Sequence, residues 1–435
     1  MNVLSLDPMY SPLHQMIMDR IADGNRYAIL SSLGLSVYFN KTKIIYFNKE
    51  VVKYKDNAVY IPSDILNLVL SDENHYSMFL KKIKKRDLNQ DEIVYFSYFY
   101  IFLENFIITN QIDLILLHND LRWHHSLAIH LCKKHNLKYL VTEQGLFRPH
   151  TTVVDNVGVN ALSNVKERFL YHVGQAECKS EVNYAITSSH DSYTSYYNFL
   201  RYLFLSKLGV VFGTESEYVH KRHGVLDYLK RFYKIKIYPK ITMLNNKKES
   251  PSTREKDVKR LIFVPLQLEL DTQILVHSDF INNQEIIDAI TTSFINAKLE
   301  SKYQLVFKLH PNDTNQYNFM AGVNVTDERI TDTFLEKVSL VIAINSSAIL
   351  SILSTTIPII TLGRSIYNIE GVSEYSTISN LSDKINDVIK NGCSLHNREK
   401  YLKYLKDKYS FNGAGYCYPD SEIERIVDEL IMSEE

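Results

Sequence analysis

Cysteine is scarce and scattered in this chain. Cys132, Cys178, Cys393 and Cys417 are the only four in 435 residues, and no two form a Cys-x-x-Cys pair. That spacing excludes a zinc ribbon and a disulfide framework, and it points to a reducing compartment. Net charge is lacking too: 49 lysines and arginines face 50 aspartates and glutamates, so no global electrostatic footprint for nucleic acid exists. No run of about 18 apolar residues is present to span a membrane. The opening Met-Asn-Val-Leu-Ser-Leu-Asp-Pro has neither the basic start nor the apolar stretch of a signal peptide. A cytoplasmic protein, soluble or peripheral to a membrane, is the expectation. Internal repeats, long low-complexity tracts and any Asp-x-Asp pair of the kind that holds a divalent ion are also missing.

What is present is an alternation of short apolar runs with helical patterns, in a chain long enough for two domains of about 200 residues. Residues 112–117 and 137–142 read as buried strands flanking a helix at 121–135, which makes a βαβ unit. The second half repeats this: strands at 261–264, 304–309, 338–344 and 358–362, a helix at 284–299 and a short one at 347–354. Between the halves, residues 245–256 are polar, charged and interrupted by Pro251, as suits an exposed linker. The boundary therefore divides an N-terminal α/β domain, 1–245, from a C-terminal one, 257–435. In the last helix, Ser421 and Glu424 are spaced as a capping box, and Ile423, Ile426, Val427, Leu430 and Ile431 share one face that must pack on something.

Polar clusters stand at the ends of these strands, where open α/β sheets collect ligands. After 137–142 come Glu143 and Gln144, then Gly145 to turn the backbone, then Arg148, with the stretch continuing through Asp155 to Gly158, Val159 and Asn160. After 261–264 come Gln267, Glu269 and Asp271, followed by His277 and Ser278; in extended chain Glu269 and Asp271 would point the same way. A carboxylate in a sugar site acts as nucleophile or base, or stabilises developing positive charge, although acidic loops are commonly just solvated. Lys308 and His310 surround the end of the next strand, where Pro311 stops it and leaves both side chains to meet an anion. Asn345, Ser346 and Ser347 open the short helix, and donors at a helix start suit a phosphate as well as ordinary capping.

Taken in order and approximate spacing, these motifs are Glu143-Gln-Gly-Leu-Phe-Arg-Pro149 with Gly158-Val-Asn160, Val264-Pro-Leu-Gln267 with Asp271-Thr-Gln-Ile274 and His277-Ser278, Lys308-Leu-His-Pro311, and Asn345-Ser-Ser347 with Leu362-Gly-Arg-Ser-Ile-Tyr367. The set resembles the bacterial capsule polysaccharide synthesis family, whose best understood members are retaining β-Kdo glycosyltransferases that use CMP-Kdo. The resemblance spans roughly residues 112–371. It implies a GT-B-like α/β fold of two Rossmann-type domains facing a central cleft, the acceptor on the N-terminal side and CMP held mainly by the second domain.

Carried over by motif, Asp271 is the nucleophile of a double displacement and Glu143 is the acid/base or a sugar-binding group. Arg148 suits the Kdo carboxylate through bidentate contacts. Gln144, Gln267 and Asn160 join Arg148 on the substrate, while Lys308, His310, Asn345, Ser346 and Ser347 hold the nucleotide. No metal and no cofactor is implied, since Lys308 and His310 would offset the phosphate charge. Many relatives carry a second acid where this chain has Gln144. The implied partners are CMP-Kdo and a glycan or glycolipid acceptor in capsule or lipopolysaccharide assembly, with contact to the inner membrane or an assembly complex and none to nucleic acid. Two other readings stay open: a transferase for another activated sugar, such as a CMP-sialic acid type, and a non-catalytic glycan-binding assembly subunit.

Outside these motifs, His124 and His125 at a helix start read as surface residues, and the tyrosine-rich stretch 193–202 as core. The basic run 81–86 and the basic, aromatic stretch 228–240 read as solvated faces, with an anionic membrane as their other use.

Overall fold

Two β-sheets organise the chain. The computed structural model describes residues 1–8, 10–21, 23–175, 192–218 and 259–432, so the expected linker at 245–256 and the stretch 228–240 lie outside the described residues. The first sheet joins β1 (Val3–Leu6), β2 (Arg26–Leu30), β3 (Lys43–Tyr46), β4 (Leu114–His118), β5 (Lys138–Gln144), β6 (Thr151–Asp155) and a late strand, β13 (Ser410–Asn412), in the order β13-β6-β5-β4-β1-β2-β3. The second joins β7 (Arg260–Pro265), β8 (Tyr303–Lys308), β9 (Asn324–Thr326), β10 (Val338–Ala343), β11 (Ile359–Thr361) and β12 (Glu374–Tyr375), in the order β12-β11-β10-β7-β8-β9. Pairing within the second sheet is parallel throughout, and in the first only β6 is reversed, so that its pairings with β5 and β13 are antiparallel.

The strand composition explains this. Val3–Leu6, Leu114–His118 and most of Val338–Ala343 are buried on both faces, the condition of a parallel sheet covered by helices on either side. Counting from β7, the second sheet has the doubly wound order 3-2-1-4-5-6, and β1 to β5 repeat its first five places. The GT-B-like arrangement of two Rossmann-type sheets therefore holds, and ligands are expected at each switch point, β1/β4 in one sheet and β7/β10 in the other.

The C-terminus departs from the expected domain division of 1–245 and 257–435. β13 pairs with β6 in the first sheet, Ser410 opposite Val153 and Phe411 opposite Thr152. The closing helix, Asp420–Val427, buries Ile423, Ile426 and Val427, with Ile431 just beyond, in one cluster with Leu13, Ile17 and Met18 of helix Leu13–Arg20 and with Leu114, Leu116 and Leu140. The second domain thus ends before residue 410. An amphipathic face says that a helix must pack, and only the tertiary fold says on what. The Ser421 capping box does not form, because the helix starts at Asp420 behind Pro419.

Two further expectations are corrected. His124 and His125 are buried under the carboxyl end of the first sheet, His124 against the Phe47, Phe99 and Trp123 rings. The tyrosine-rich stretch lies on helix Ser192–Val211, where Tyr193, Tyr196, Tyr197 and Phe204 are exposed, because helical spacing marks a face without saying which side it turns to. Among the described residues, no helix is long and apolar enough to cross a membrane.

Candidate active site

A cleft of about 920 Å³ opens where the carboxyl ends of the two sheets meet. From the first sheet it is lined by Asn119, Glu143, Gln144, Leu146, Arg148, Asn160 and Ala161. From the second come residues 266–273 after β7, His310 and residues 312–315 after β8, Asn345, Ser346 and Ser347 after β10, and Ser365, Ile366 and Tyr367 after β11. The expected residues Glu143, Gln144, Arg148, Asn160, Gln267, Asp271, His310, Asn345, Ser346 and Ser347 are brought together here.

Lys308 is not. Its Nζ donates to the carbonyls of Asp327 (3.1 Å) and Glu328 (2.8 Å), so its ammonium satisfies a loop beside β9 and does not reach the cleft lining. The last residue of a strand can turn to either face, and here the backbone carbonyls decided.

Glu143 is the best-oriented acid on its side. One carboxylate oxygen accepts from Asn119 Nδ2 (2.8 Å) and the other from the backbone N–H of Gln144 (2.8 Å). Gly145 is required at the next position: a Cβ there would stand 2.1 Å from the Thr151 carbonyl oxygen, where the chain doubles back into β6. Arg148 Nε donates to the Gly145 carbonyl (3.2 Å), and Arg148 is otherwise exposed at the cleft. Asp155, fully buried, takes no part in the lining; it accepts from the N–H groups of Val157 and Gly158 and from Ser163 Oγ, shaping the loop that presents Asn160.

Across the cleft, Glu269 and Asp271 are not in extended chain but in a turn, where the Asp271 N–H donates to the Leu268 carbonyl (2.9 Å). Their roles differ. Both oxygens of Glu269 are taken, by the Asn283 N–H (3.0 Å) and Asn315 Nδ2 (2.9 Å). Asp271 caps the single helical turn Thr272–Leu275, accepting from the Gln273 N–H (3.1 Å). His310 accepts the Asn312 N–H on Nδ1 (3.1 Å), which fixes the ring plane. Helix Ile349–Ile352 is one turn long, so Ser346 and Ser347 offer hydroxyls and backbone N–H groups more than a macrodipole. Among the described residues that line the cleft, two buried acceptors have no partner, Gln267 Oε1 and Asn345 Oδ1, while Asn345 Nδ2 is held by Gln273 and the Arg364 carbonyl (3.0 Å). Such oxygens suit hydroxyl or amine donors on a ligand. His277 is buried outside the lining, and burial lowers it to about 4, so its ring is neutral.

The sequence reading missed Asn119 and Asp120, which follow β4 as Glu143 follows β5. Asp120 is buried, accepts the Val159 N–H (2.7 Å), and is pushed up to about 7 by burial and by the neighbouring Glu143 carboxylate. The signal was available: a polar pair directly past a buried strand, at the switch point. Beneath it lies a polar layer no local pattern shows. His14 Nε2 meets Thr142 Oγ1 (3.0 Å), His118 Nδ1 donates to the Thr142 carbonyl (2.9 Å), and His125 Nδ1 donates to the Asn119 carbonyl (2.8 Å). Burial lowers His14 and His118 to about 3, so both stay neutral. Asp7, His124 and His125 bring one possible ligand atom each within 4.8 Å, yet Asp7 is already hydrogen-bonded by His124 and by the Ser31 N–H. Among the described residues the cleft lining carries Glu143, Glu269, Asp271 and Asp313 against Arg148 and His310.

The profile of the family described as "Capsule polysaccharide biosynthesis protein" matches residues 113–413. The capsule polysaccharide modification protein LipB of Neisseria meningitidis serogroup A is 22% identical over 296 residues, covering 64% of this chain and 70% of that protein. Among solved structures, the Thermosulfurimonas dismutans KpsC β-Kdo 2,7 transferase overlays with a TM-score of 0.38 at 14% identity, covering 81% of this chain and 94% of its own. A UDP-GlcNAc 2-epimerase from Neisseria meningitidis overlays with a TM-score of 0.30 at 14% identity over the whole of both chains. With the profile matching well over half of its length, the chain belongs to the capsule polysaccharide biosynthesis protein family.

Proposed function

We propose that this protein is a retaining glycosyltransferase that moves Kdo from CMP-Kdo to a glycan or glycolipid acceptor in capsule or lipopolysaccharide assembly. The observation that carries the reading is the placement of two carboxylates, Glu143 and Asp271, on opposite walls of one cleft, each at the carboxyl end of a strand next to its sheet's centre. Asp271 is the nucleophile of the pair by its place in the motif and in the cleft lining, whereas both Glu269 oxygens are engaged by Asn283 and Asn315.

In the first step an Asp271 carboxylate oxygen bonds to the anomeric carbon of Kdo while the bond to the CMP phosphate oxygen breaks, the electron pair leaving with CMP. Positive charge developing on the sugar is stabilised by the acidic lining. In the second step the acceptor hydroxyl gives its proton to Glu143 and attacks the same carbon, and the Asp271 ester bond breaks. Two inversions give retention. Arg148 meets the Kdo carboxylate, Gln144, Gln267 and Asn160 meet its hydroxyls, and His310 with Ser346 and Ser347 meets the phosphate. Asn345, with its unpartnered oxygen, suits an amine of the base. No metal is required in this scheme, and the site works at the cytoplasmic side of the inner membrane. The test is incubation with CMP-Kdo and a panel of acceptors, read by mass spectrometry: Kdo addition is expected, and inertness toward every acceptor together with no release of CMP would defeat the reading.

A further inference from the structure

We infer that the segment from His75 to Lys82 is a positioning clamp, which sets the loop of Asp271 against the Glu143 wall of the cleft. The consequence for turnover rests on the transferase reading; the clamp itself does not. Lys82 belongs to the basic run 81–86, and a solvated lysine would spend its three donors on water. Here its Nζ donates to three carbonyls of the second domain, those of Ile274 (3.0 Å), Ser278 (2.8 Å) and Phe280 (2.7 Å). An ammonium has three protons, so all are used. The first of these carbonyls lies within the turn that Asp271 caps.

His75 holds the other end. Its ring Nε2 donates to the carbonyl of Leu270, the residue directly before Asp271 (3.0 Å). Its backbone N–H donates to the Leu121 carbonyl (2.8 Å). The Leu121 N–H in turn donates to Asn119 Oδ1 (2.9 Å), whose amide holds Glu143 (2.8 Å). One residue therefore touches both Leu121, which holds the Asn119 support of Glu143, and the neighbour of Asp271. The clamp is stiff because it is anchored behind: Arg86 makes a two-pronged pair with the buried Glu92 (2.7 and 2.8 Å), and Tyr76 OH donates to the same carboxylate (2.6 Å). Misplacing a reacting group by about 1 Å is enough to cost on the order of 100-fold in rate, so such a device has leverage.

The test is Lys82→Met, which keeps the stem and removes the donors, studied in the full chain with hydrogen exchange by mass spectrometry and with steady-state transfer from CMP-Kdo. Exchange in residues 266–280 should quicken while the β10 peptide stays as in the parent. The kcat should fall by about tenfold or more with the donor KM within about threefold, and Lys82→Arg should recover part of it. Unchanged exchange in 266–280 overturns the clamp, as does quickened exchange with unchanged kcat. Protection lost evenly over both sheets also overturns it, in favour of a purely structural lysine. If Lys82→Met does not fold, His75→Phe, which deletes the bond to Leu270, is read the same two ways. A parent protein inert to CMP-Kdo would sink the transferase reading, and the exchange result would then decide the clamp alone.

Discussion

Replacing Asp271 by asparagine tests the centre of the mechanism with little structural disturbance. Asp271 has a second job, accepting the Gln273 N–H at 3.1 Å as the cap of Thr272–Leu275. An asparagine oxygen can still accept that bond, because Asn and Asp cap about equally well, whereas alanine forfeits about 1 kcal/mol of capping. The amide cannot form the sugar ester, so Asp271→Asn should lose at least about 10³-fold in turnover, roughly 4 kcal/mol of transition-state stabilisation. CMP affinity by calorimetry should stay within about threefold, since less than 1 kcal/mol of nucleotide contact is altered. In the parent, quenching during turnover should leave a Kdo-sized mass on the peptide that contains Asp271, and none in the variant. Glu269→Gln is the control: it should lower stability by about 1–2 kcal/mol through its lost bond to Asn315 while keeping adduct formation. Turnover within about tenfold of the parent in Asp271→Asn, or the adduct mass on another peptide, would refute the assignment.

Three further outcomes follow from the site. Replacing His310, or Ser346 together with Ser347, should weaken CMP binding by about 1–3 kcal/mol in calorimetry, and unchanged affinity in both variants would move the nucleotide elsewhere. Activity should survive prolonged EDTA, and loss of turnover restored by Mg²⁺ or Mn²⁺ would recast Glu143, Glu269 and Asp271 as ligands. Acid should unfold the protein through its buried histidines: His14 and His118 are lowered from 6.5 to about 3, so the unfolded chain takes up protons that the native state refuses. Their stabilisation is present above pH 6.5 and falls by about 2 kcal/mol per histidine on going to about pH 5. Urea unfolding should show that slope, with His118→Gln flattening it by about one proton, and equal stability at both pH values would count against it.

Residues that obey local rules were visible in the sequence. The second sheet's β7, β8, β10 and β11 are short apolar runs bounded by turns, and a strand's end is where polar residues meet a cleft, so Asp271, His310 and Asn345 could be placed from order alone. Tertiary structure decided whatever depends on distant partners. β1, β2 and β3 are runs of four or five residues that become strands by pairing with β4 and each other, and β13 joins the first sheet only because β6 offers it an open edge. Lys308 and Lys82 make the contrast plain. Sequence assigned the first to the nucleotide and the second to solvent, yet backbone carbonyls of distant loops hold both ammonium groups, one away from the cleft and the other across it. A long flexible cation goes where unpaired acceptors accumulate, and those acceptors exist only once the chain has folded.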